Sequence, residues 1–353
     1  GAPFEKKLVT KLIEGISIQP VYTEADISNQ DPSGLPGQPP FVRGSRALGH
    51  VQQGWQIQQE SRHASPTHAN AALLDDIKHG AHAALVRLSP KVLDETCCHA
   101  GSSCGVLVDN LNDLDQVFAD VDLTKTPIVL GAGPAFASAA SLLMALWDKR
   151  GVSPEQAQGG FGADPLGTFA SRGNLPRKAE TMLDEAASLA VFTSRNFPKV
   201  AALSVSTSAY NNAGCTAVQE LAAAVATGLA YLRAMEHAGL DLAKAAKQIV
   251  FSLAVGYDQF LEISKLRALR ALWFQVLQAC GVPDSDCYTA VHARTSRRIL
   301  TKRDPWVNLL RTTISCFASA VGGADQITVL PFDDVIGPSD DHARRVARNM
   351  QIV

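Results

Sequence analysis

Apolar positions along this chain alternate between two rhythms. Val200, Ala202, Leu203 and Val205 form a short run bounded by Pro198 before it and Asn211, Asn212 and Gly214 after it, as a strand buried on both faces requires. Directly afterwards Val218, Leu221, Ala222, Val225, Leu229 and Leu232 recur at steps of three and four, and Gly239 stands where a helix commonly stops. An apolar strand feeding an amphipathic helix is one βα unit of a parallel sheet.

The same alternation runs along most of the chain. Strands are predicted from Trp55 to Gln59, Ala83 to Leu88, Pro127 to Leu130, Gly159 to Gly162, Val200 to Val205, Ile249 to Val255, Tyr288 to Ala293 and Gln326 to Leu330. Helical spacing fills the intervals: from Ser65-Pro66-Thr67 to about His82, Ala135 to Trp147, Lys178 to Ser194, Phe260 to Cys280, Trp306 to Val321 and Asp340 to Met350. Gly159 to Gly162 is a poor strand by propensity and takes its place from its position between two helices. Gly105 to Val108 and a short helix through Leu111, Leu114, Val117 and Phe118 read as decoration.

About eight strands, each followed by a helix, predict an α/β fold, a (β/α)8 TIM barrel, over residues 45–353. A doubly wound open sheet is the competitor. Against it, no G-x-G-x-x-G lies between the first strand and helix, and the strands are evenly spread. Ahead of the barrel, Leu8, Val9, Leu12 and Ile13 predict a short amphipathic helix from Phe4 to Glu14. Between Ser17 and Gly44, Pro20, Pro32, Pro36, Pro39 and Pro40 forbid regular structure, so residues 1–44 read as a helix and an extended N-terminal arm that lies on its own domain or on a partner.

Composition narrows the function classes. The 353 residues, 46% hydrophobic, suffice for a substantial core. With 32 basic and 34 acidic residues, a formal net charge of -2 and no long block of like charge, the electrostatic footprint of a nucleic-acid binder is missing. Seven scattered cysteines fit a reducing, cytoplasmic setting better than a disulfide framework. The most apolar helix, near Leu221 to Leu232, falls far short of the ~20 residues that span a bilayer, and no signal-peptide pattern precedes Phe4, so no membrane partner is expected.

In a barrel the chemistry sits at the C-terminal strand ends. Those ends carry Glu60, Ser89, Gly131 to Gly133, Gly162 to Asp164, Ser206 to Ala209, Gly256 to Asp258, Arg294 to Ser296 and Phe332 to Asp334. Arg172 and Arg294, at the exits of strands four and seven, are the best placed to hold an anionic ligand. Gly131-Ala132-Gly133 suits a phosphate cradle, although a tight turn before the next helix explains it equally well. Asp75, His79 and His82 have metal-ligand spacing at i, i+4 and i+7 of one helix, but on an outer helix a solvated polar face is the preferred reading. Cys97, Cys98, His99 and Cys104 share a loop without the usual zinc spacing and read as reduced thiols. Gly322-Gly323 precedes a strand and reads as a helix stop. No Ser-His-Asp order, P-loop or suitably spaced carboxylate pair emerges.

Several stretches taken together resemble the adenosylcobalamin-dependent methylmalonyl-CoA mutases. They are GISIQPVYT (Gly15 to Thr23), LPGQPPFVRG (Leu35 to Gly44), TSRNFPK (Thr193 to Lys199), AGCTAVQELA (Ala213 to Ala222), EISKLRALRALW (Glu262 to Trp273), RDPWVNLLRTT (Arg303 to Thr313) and ARNMQ (Ala347 to Gln351). The resemblance covers nearly the whole chain. It implies a barrel whose axis is threaded by an acyl-CoA and a separate cobalamin domain that follows it. The D-x-H-x-x-G motif with which the family ligates cobalt is not in this sequence, and Asp340-Asp341-His342 has the wrong spacing. The cobalamin domain is therefore expected to be absent from this chain, with no cofactor-binding or metal residue assigned to it.

The positions that the resemblance marks as catalytic depart from the family pattern. Where the catalytic chain has Tyr-Ala-Gly-Phe after its first strand, this sequence reads Glu60-Ser61-Arg62-His63, so Glu60 occupies the tyrosine position. Where it has Gly-Tyr-His after strand five, this one reads Thr207-Ser208-Ala209, and alanine has nothing to donate. The Thr-His-Arg-Gly-Tyr segment expected after strand two is replaced by the stretch from Pro90 onward. Arg172 does fall at the position of a substrate-binding arginine. Tyr210 stays a pocket candidate beside Arg172 and Arg294, because a one-residue slip in a strand exchanges inward for outward side chains.

Losing a donor at the reacting carbonyl raises a barrier by ~3 kcal/mol or more, and a carboxylate beside a radical site adds a desolvation cost. The pattern is similar to that of the family's small subunit, which shares the fold, pairs with a catalytic large subunit as a heterodimer and does no chemistry. The resemblance thus implies a structural barrel, its arm lying on the partner. The complex would interconvert methylmalonyl-CoA and succinyl-CoA with adenosylcobalamin. Two alternatives stand beside it: an active acyl-CoA mutase of altered substrate choice using Glu60, Tyr210, Arg172 or Arg294, and an acyl-CoA-binding module without turnover. The active mutase requires an open channel; the structural subunit requires a filled or narrow one and a large apolar partner surface.

Overall fold

A computed structural model describes residues 3–26, 33–50, 52, 54–89 and 105–353. At the N-terminus α1 (Phe4–Leu8) leads into an antiparallel pair, β1 (Thr10–Lys11) and β2 (Ser17–Ile18). The helix predicted to reach Glu14 therefore stops at Leu8. So short a helix is marginal without tertiary packing, and Leu8, Ile13 and Ile16 are all exposed. The arm attaches further on, where buried Phe41 meets Phe274 and Tyr288 edge-on at centroid distances of 6.4 and 5.9 Å.

The barrel begins with β3 (Gln56–Ser61), α2 (Pro66–Lys78) and β4 (Ala83–Ser89). A two-residue strand β5 (Val106–Leu107) pairs with β4, and α3 (Leu111–Val117) follows it. Next come β6 (Ile128–Gly131), α4 (Phe136–Lys149), β7 (Gly159–Ala163), α5 (Pro165–Arg172) and α6 (Ala179–Asn196). After β8 (Val200–Ser206) lie α7 (Ser208–Asn212), α8 (Ala217–His237) and α9 (Leu242–Lys247). The chain ends with β9 (Ile249–Val255), α10 (Gln259–Ala279), β10 (Ala290–Thr295), α11 (Val307–Val321), β11 (Gln326–Thr328) and α12 (Asp341–Ile352).

Eight parallel strands close a ring in the order β3, β11, β10, β9, β8, β7, β6, β4, with β4 returning to β3. This is the TIM barrel that the alternation predicts. The weakest strand by propensity is explained by crowding. A Cβ on Gly159 would stand 1.9 Å from Ile128 O, and one on Gly162 1.9 Å from Leu130 O, so β7 approaches β6 where only glycine fits.

Alternate residues of each strand divide the molecule into two zones. Leu203, Val205, Phe251, Leu253, Val291 and Ala293 sit in the core beneath the helices, and their neighbours Ser204, Ser206, Ser252, His292 and Arg294 face the barrel interior. Helix α12, which carries the ARNMQ stretch, fastens the ring where it closes. Arg344 and Arg348 both bond Asp76 of α2, Arg348 Nη1 at 2.7 Å from Oδ1, and Arg344 Nη1 donates to Glu60 O at 2.9 Å. Among the described residues no helix is long and apolar enough to cross a membrane.

Candidate functional site

Barrel interiors are usually packed with branched apolar side chains, and this one is not. Its middle layer is polar: Ser252 Oγ lies 2.9 Å from His292 Nδ1, Thr328 Oγ1 lies 2.9 Å from His292 Nε2, and Thr328 Oγ1 donates to Gln58 Oε1 at 3.2 Å. Burial, reinforced by the nearby Arg294 charge, pushes the His292 pKa down to about 3, so the ring is neutral at neutral pH.

Above this layer, at the C-terminal strand ends, Glu60 crosses the interior. Its Oε2 accepts from Arg294 Nε at 2.6 Å, while Oε1 meets Arg87 Nε at 2.6 Å and Arg62 Nε at 3.1 Å. Burial alone would raise the Glu60 pKa, but the Arg294, Arg87 and Arg62 guanidiniums outweigh it and hold the carboxyl well below the usual range. Asp334 supports the rim by pairing with Arg62 and with Arg297 Nε, the latter at 2.8 Å. Two carboxylates thus hold four guanidiniums across the mouth.

Beside the cluster a cavity of about 340 Å³ remains open, lined by Arg87, Arg172, Arg294, Ala209 and the inward serines. Arg172 ends α5 and comes close over Gly133, its Nη2 3.6 Å from where a Cβ would stand. Gly133 has φ of +54°, so the Gly131-Ala132-Gly133 turn both needs a glycine and leaves room for that guanidinium. Asp164 closes one wall as the N-cap of α5, its carboxylate accepting from Tyr231 OH at 2.5 Å, Gly167 N at 2.9 Å and Ser206 N at 2.9 Å. Burial raises its pKa to about 6 against those three bonds.

The structure thus brings Arg172, Arg294, Glu60 and Ala209 to one mouth. Tyr210, one residue on, is half-buried on α7 and is not among the residues lining the cavity. Arg294 is not a free anion holder, because Glu60 already occupies it. The Asp75, His79 and His82 set does not form: α2 ends at Lys78, Asp75 and His79 pair with each other at 3.1 Å, and His82 Nδ1 accepts from Ile57 N at 3.2 Å. Cys97, Cys98, His99 and Cys104 lie outside the described residues.

Sequence reasoning missed a second buried cluster behind the mouth. Lys265 Nζ lies 2.9 Å from Glu220 Oε2, 2.6 Å from Glu262 Oε2 and 2.6 Å from Ala254 O. Glu220 also accepts from Thr207 Oγ1 at 2.5 Å and Asn211 Nδ2 at 3.0 Å. The signal was present: Glu262 and Lys265 stand one turn apart on a helical face otherwise made of Ile263, Leu266, Leu269, Trp273 and Leu277, with Arg270 further along it.

The Asp340-Asp341-His342 stretch opens helix α12. Asp340 is spent as the N-cap of α12, Oδ1 accepting from Ala343 N at 2.7 Å, and exposed His342 lies against Arg345 Nη2 at 3.3 Å. Among the described residues no group of three His, Cys, Asp or Glu side chains could hold a metal.

Comparison with known proteins decides the family. The profile described as Methylmalonyl-CoA mutase matches residues 11–353. The chain belongs to the methylmalonyl-CoA mutase family. It is 40% identical over 354 residues to the methylmalonyl-CoA mutase small subunit of Streptomyces virginiae, covering 100% of this chain and 54% of that protein. It is 31% identical to the small subunit of Propionibacterium freudenreichii subsp. shermanii, covering 99% of this chain and 51% of that one. A probable large subunit from Mycobacterium bovis is 29% identical, with 99% of this chain and 48% of that one covered. The chain therefore spans about half the length of the curated relatives it matches.

Proposed function

We propose that this chain is the barrel part of a methylmalonyl-CoA mutase small subunit that pairs with a catalytic large subunit and performs no chemistry itself. One observation carries the reading: Glu60, at the position of the family's tyrosine, is bonded to Arg62, Arg87 and Arg294 across the mouth. An acyl thioester threading the axis would have to displace a carboxylate that three guanidiniums hold in place, and breaking a buried pair of this kind costs about 3–5 kcal/mol. The other reacting position is vacant of chemistry as well, since Ala209 in the cavity wall offers no donor to a carbonyl.

Adenosylcobalamin, in this reading, is held by the complex, outside these residues, and supplies the radical that rearranges the acyl group. What this chain contributes is a rigid barrel face for its partner. The test is reconstitution with the family large subunit from the same organism. Interconversion of methylmalonyl-CoA and succinyl-CoA is expected from the pair and not from this chain alone supplied with adenosylcobalamin. Turnover by this chain without the large subunit overturns the reading.

A further inference from the structure

Helix α11 is turned inside out. Its buried face is largely polar, with Cys316 and Ala318 the buried apolar positions: Asn308 Nδ2 donates to Thr301 O at 2.9 Å and Phe332 O at 2.8 Å, Ser315 Oγ to Val255 O at 2.9 Å, and Ser319 Oγ to Ser315 O at 2.7 Å. Its outward face is apolar, with Val307, Leu310, Ile314, Phe317 and Val321 all exposed, Leu310 at 68% and Phe317 at 54%. The one charge on the helix, Arg311, is folded back with Nη1 2.9 Å from Asn308 Oδ1. An outer helix of a barrel ordinarily does the reverse. On α12 the exposed positions before its last turn are Asp341, His342, Arg345 and Asn349.

The spacing of the exposed side chains is as telling as their chemistry. Steps of three, four, three and four place them in one seam, the arrangement of a helix that packs lengthwise on another. The seam runs for about 21 Å at 1.5 Å per residue, and Trp306, also exposed, extends it at its start. A membrane-surface helix would show rows of lysine and arginine along its polar face. Here the polar face is spent on hydrogen bonds beneath the helix, to Thr301 O, Phe332 O and Val255 O. Charge returns only at the approach to the seam, where Lys302, Arg303 and Asp304 are exposed, as at the polar rim of an apolar interface.

We infer that α11 is the surface on which the large subunit packs, presenting to it an uncharged apolar helix face; this rests on the pairing proposed above. An uncharged seam excludes a charged counterpart, because a lone charge buried against it would be unpaired. The probable large-subunit relative aligns over 99% of this chain, so a partner of that type carries a barrel with a helix at the same place. Two homologous barrels meeting through equivalent helices form a quasi-twofold contact, the commonest way for like folds to pair. The competing occupant is a second copy of this chain.

The test is pairing of the Leu310→Glu/Phe317→Glu variant with the same organism's large subunit, read by analytical ultracentrifugation, with Asn349→Glu on α12 as control. Two apolar anchors of the proposed contact replaced by carboxylates are expected to weaken pairing by about 100-fold or more, while the control pairs as the wild type does. Amide exchange in the wild-type chain, which needs no variant to fold, is expected to slow along α11 when the large subunit is added. Unchanged pairing by the double variant, or unchanged exchange in α11 on pairing, overturns the inference and leaves the proposed function standing. A wild-type chain that never pairs overturns the proposed function instead. A tight homodimer abolished by the double variant assigns the face to a second copy and overturns the inference.

Discussion

Glu60 Oε2 and Arg294 Nε, 2.6 Å apart, tie the first strand of the barrel to the seventh across the eighth. Arg87 and Arg62 meet the other carboxylate oxygen, so one buried anion serves three cations, Arg294 buried with it and Arg62 and Arg87 partly open to solvent. Glu60→Gln keeps the shape and removes the charge. The three guanidiniums are then left to repel one another, and the variant is expected to lose about 3–5 kcal/mol of stability. The urea midpoint checks it; a midpoint equal to that of the wild type would show the cluster to be energetically idle.

A second prediction concerns pH. Burial and the Arg294 charge depress the His292 pKa to about 3, against about 6.5 for an exposed histidine. Below about pH 6.5 the unfolded chain takes up a proton that the folded chain refuses, so stability is full above that pH and drains away as the pH falls toward about 3. Glu60, held well below the ordinary carboxylate range, contributes stability that is present above its unfolded pKa and is lost as the pH falls through its folded one. His292→Gln should therefore flatten the upper part of the acid limb, between about pH 6.5 and 5, relative to the wild type; Asp164, its folded pKa raised to about 6, contributes there with the opposite sign but equally in both proteins. Equal slopes for wild type and variant over that window contradict the assignment.

The cluster behind the mouth gives a third. Lys265 lies between Glu220 and Glu262, and all three side chains are buried. Burial raises the Glu262 pKa, and the two carboxylates raise that of Lys265 against the opposing effect of burial. Lys265→Met strands two carboxylates and should cost about 3–5 kcal/mol, whereas adding Glu220→Gln and Glu262→Gln should recover part of the loss. Thermal unfolding of the single and triple variants distinguishes these outcomes; a triple variant no more stable than Lys265→Met would refute the assignment.

The architecture was legible because each barrel strand is buried on both faces and each helix on one. Ile249–Val255 coincides with its predicted span, and Gly159–Ala163 was placed by position although its composition argues against a strand. At the N-terminus the spacing of Leu8, Leu12 and Ile13 mimics an amphipathic helix, but Leu8 and Ile13 stay exposed and the backbone turns into a hairpin at Thr10. The site was legible by residue and not by pairing. Glu60 and Arg294 each stood out at a strand end, yet only ring closure shows that residues 234 positions apart share a hydrogen bond. The inverted polarity of α11 escaped because a helix that is apolar on one side gives the same period whichever side faces out.

The most direct measurement is the number of acyl-CoA molecules bound by the small and large subunits together, by equilibrium titration of methylmalonyl-CoA onto the purified complex. With the mouth crossed by Glu60 and its arginines, one ligand per pair is expected, and none on this chain alone. Two ligands per pair, or saturable binding to the isolated barrel, would contradict the proposal that Glu60 and its arginines keep the thioester out of this barrel.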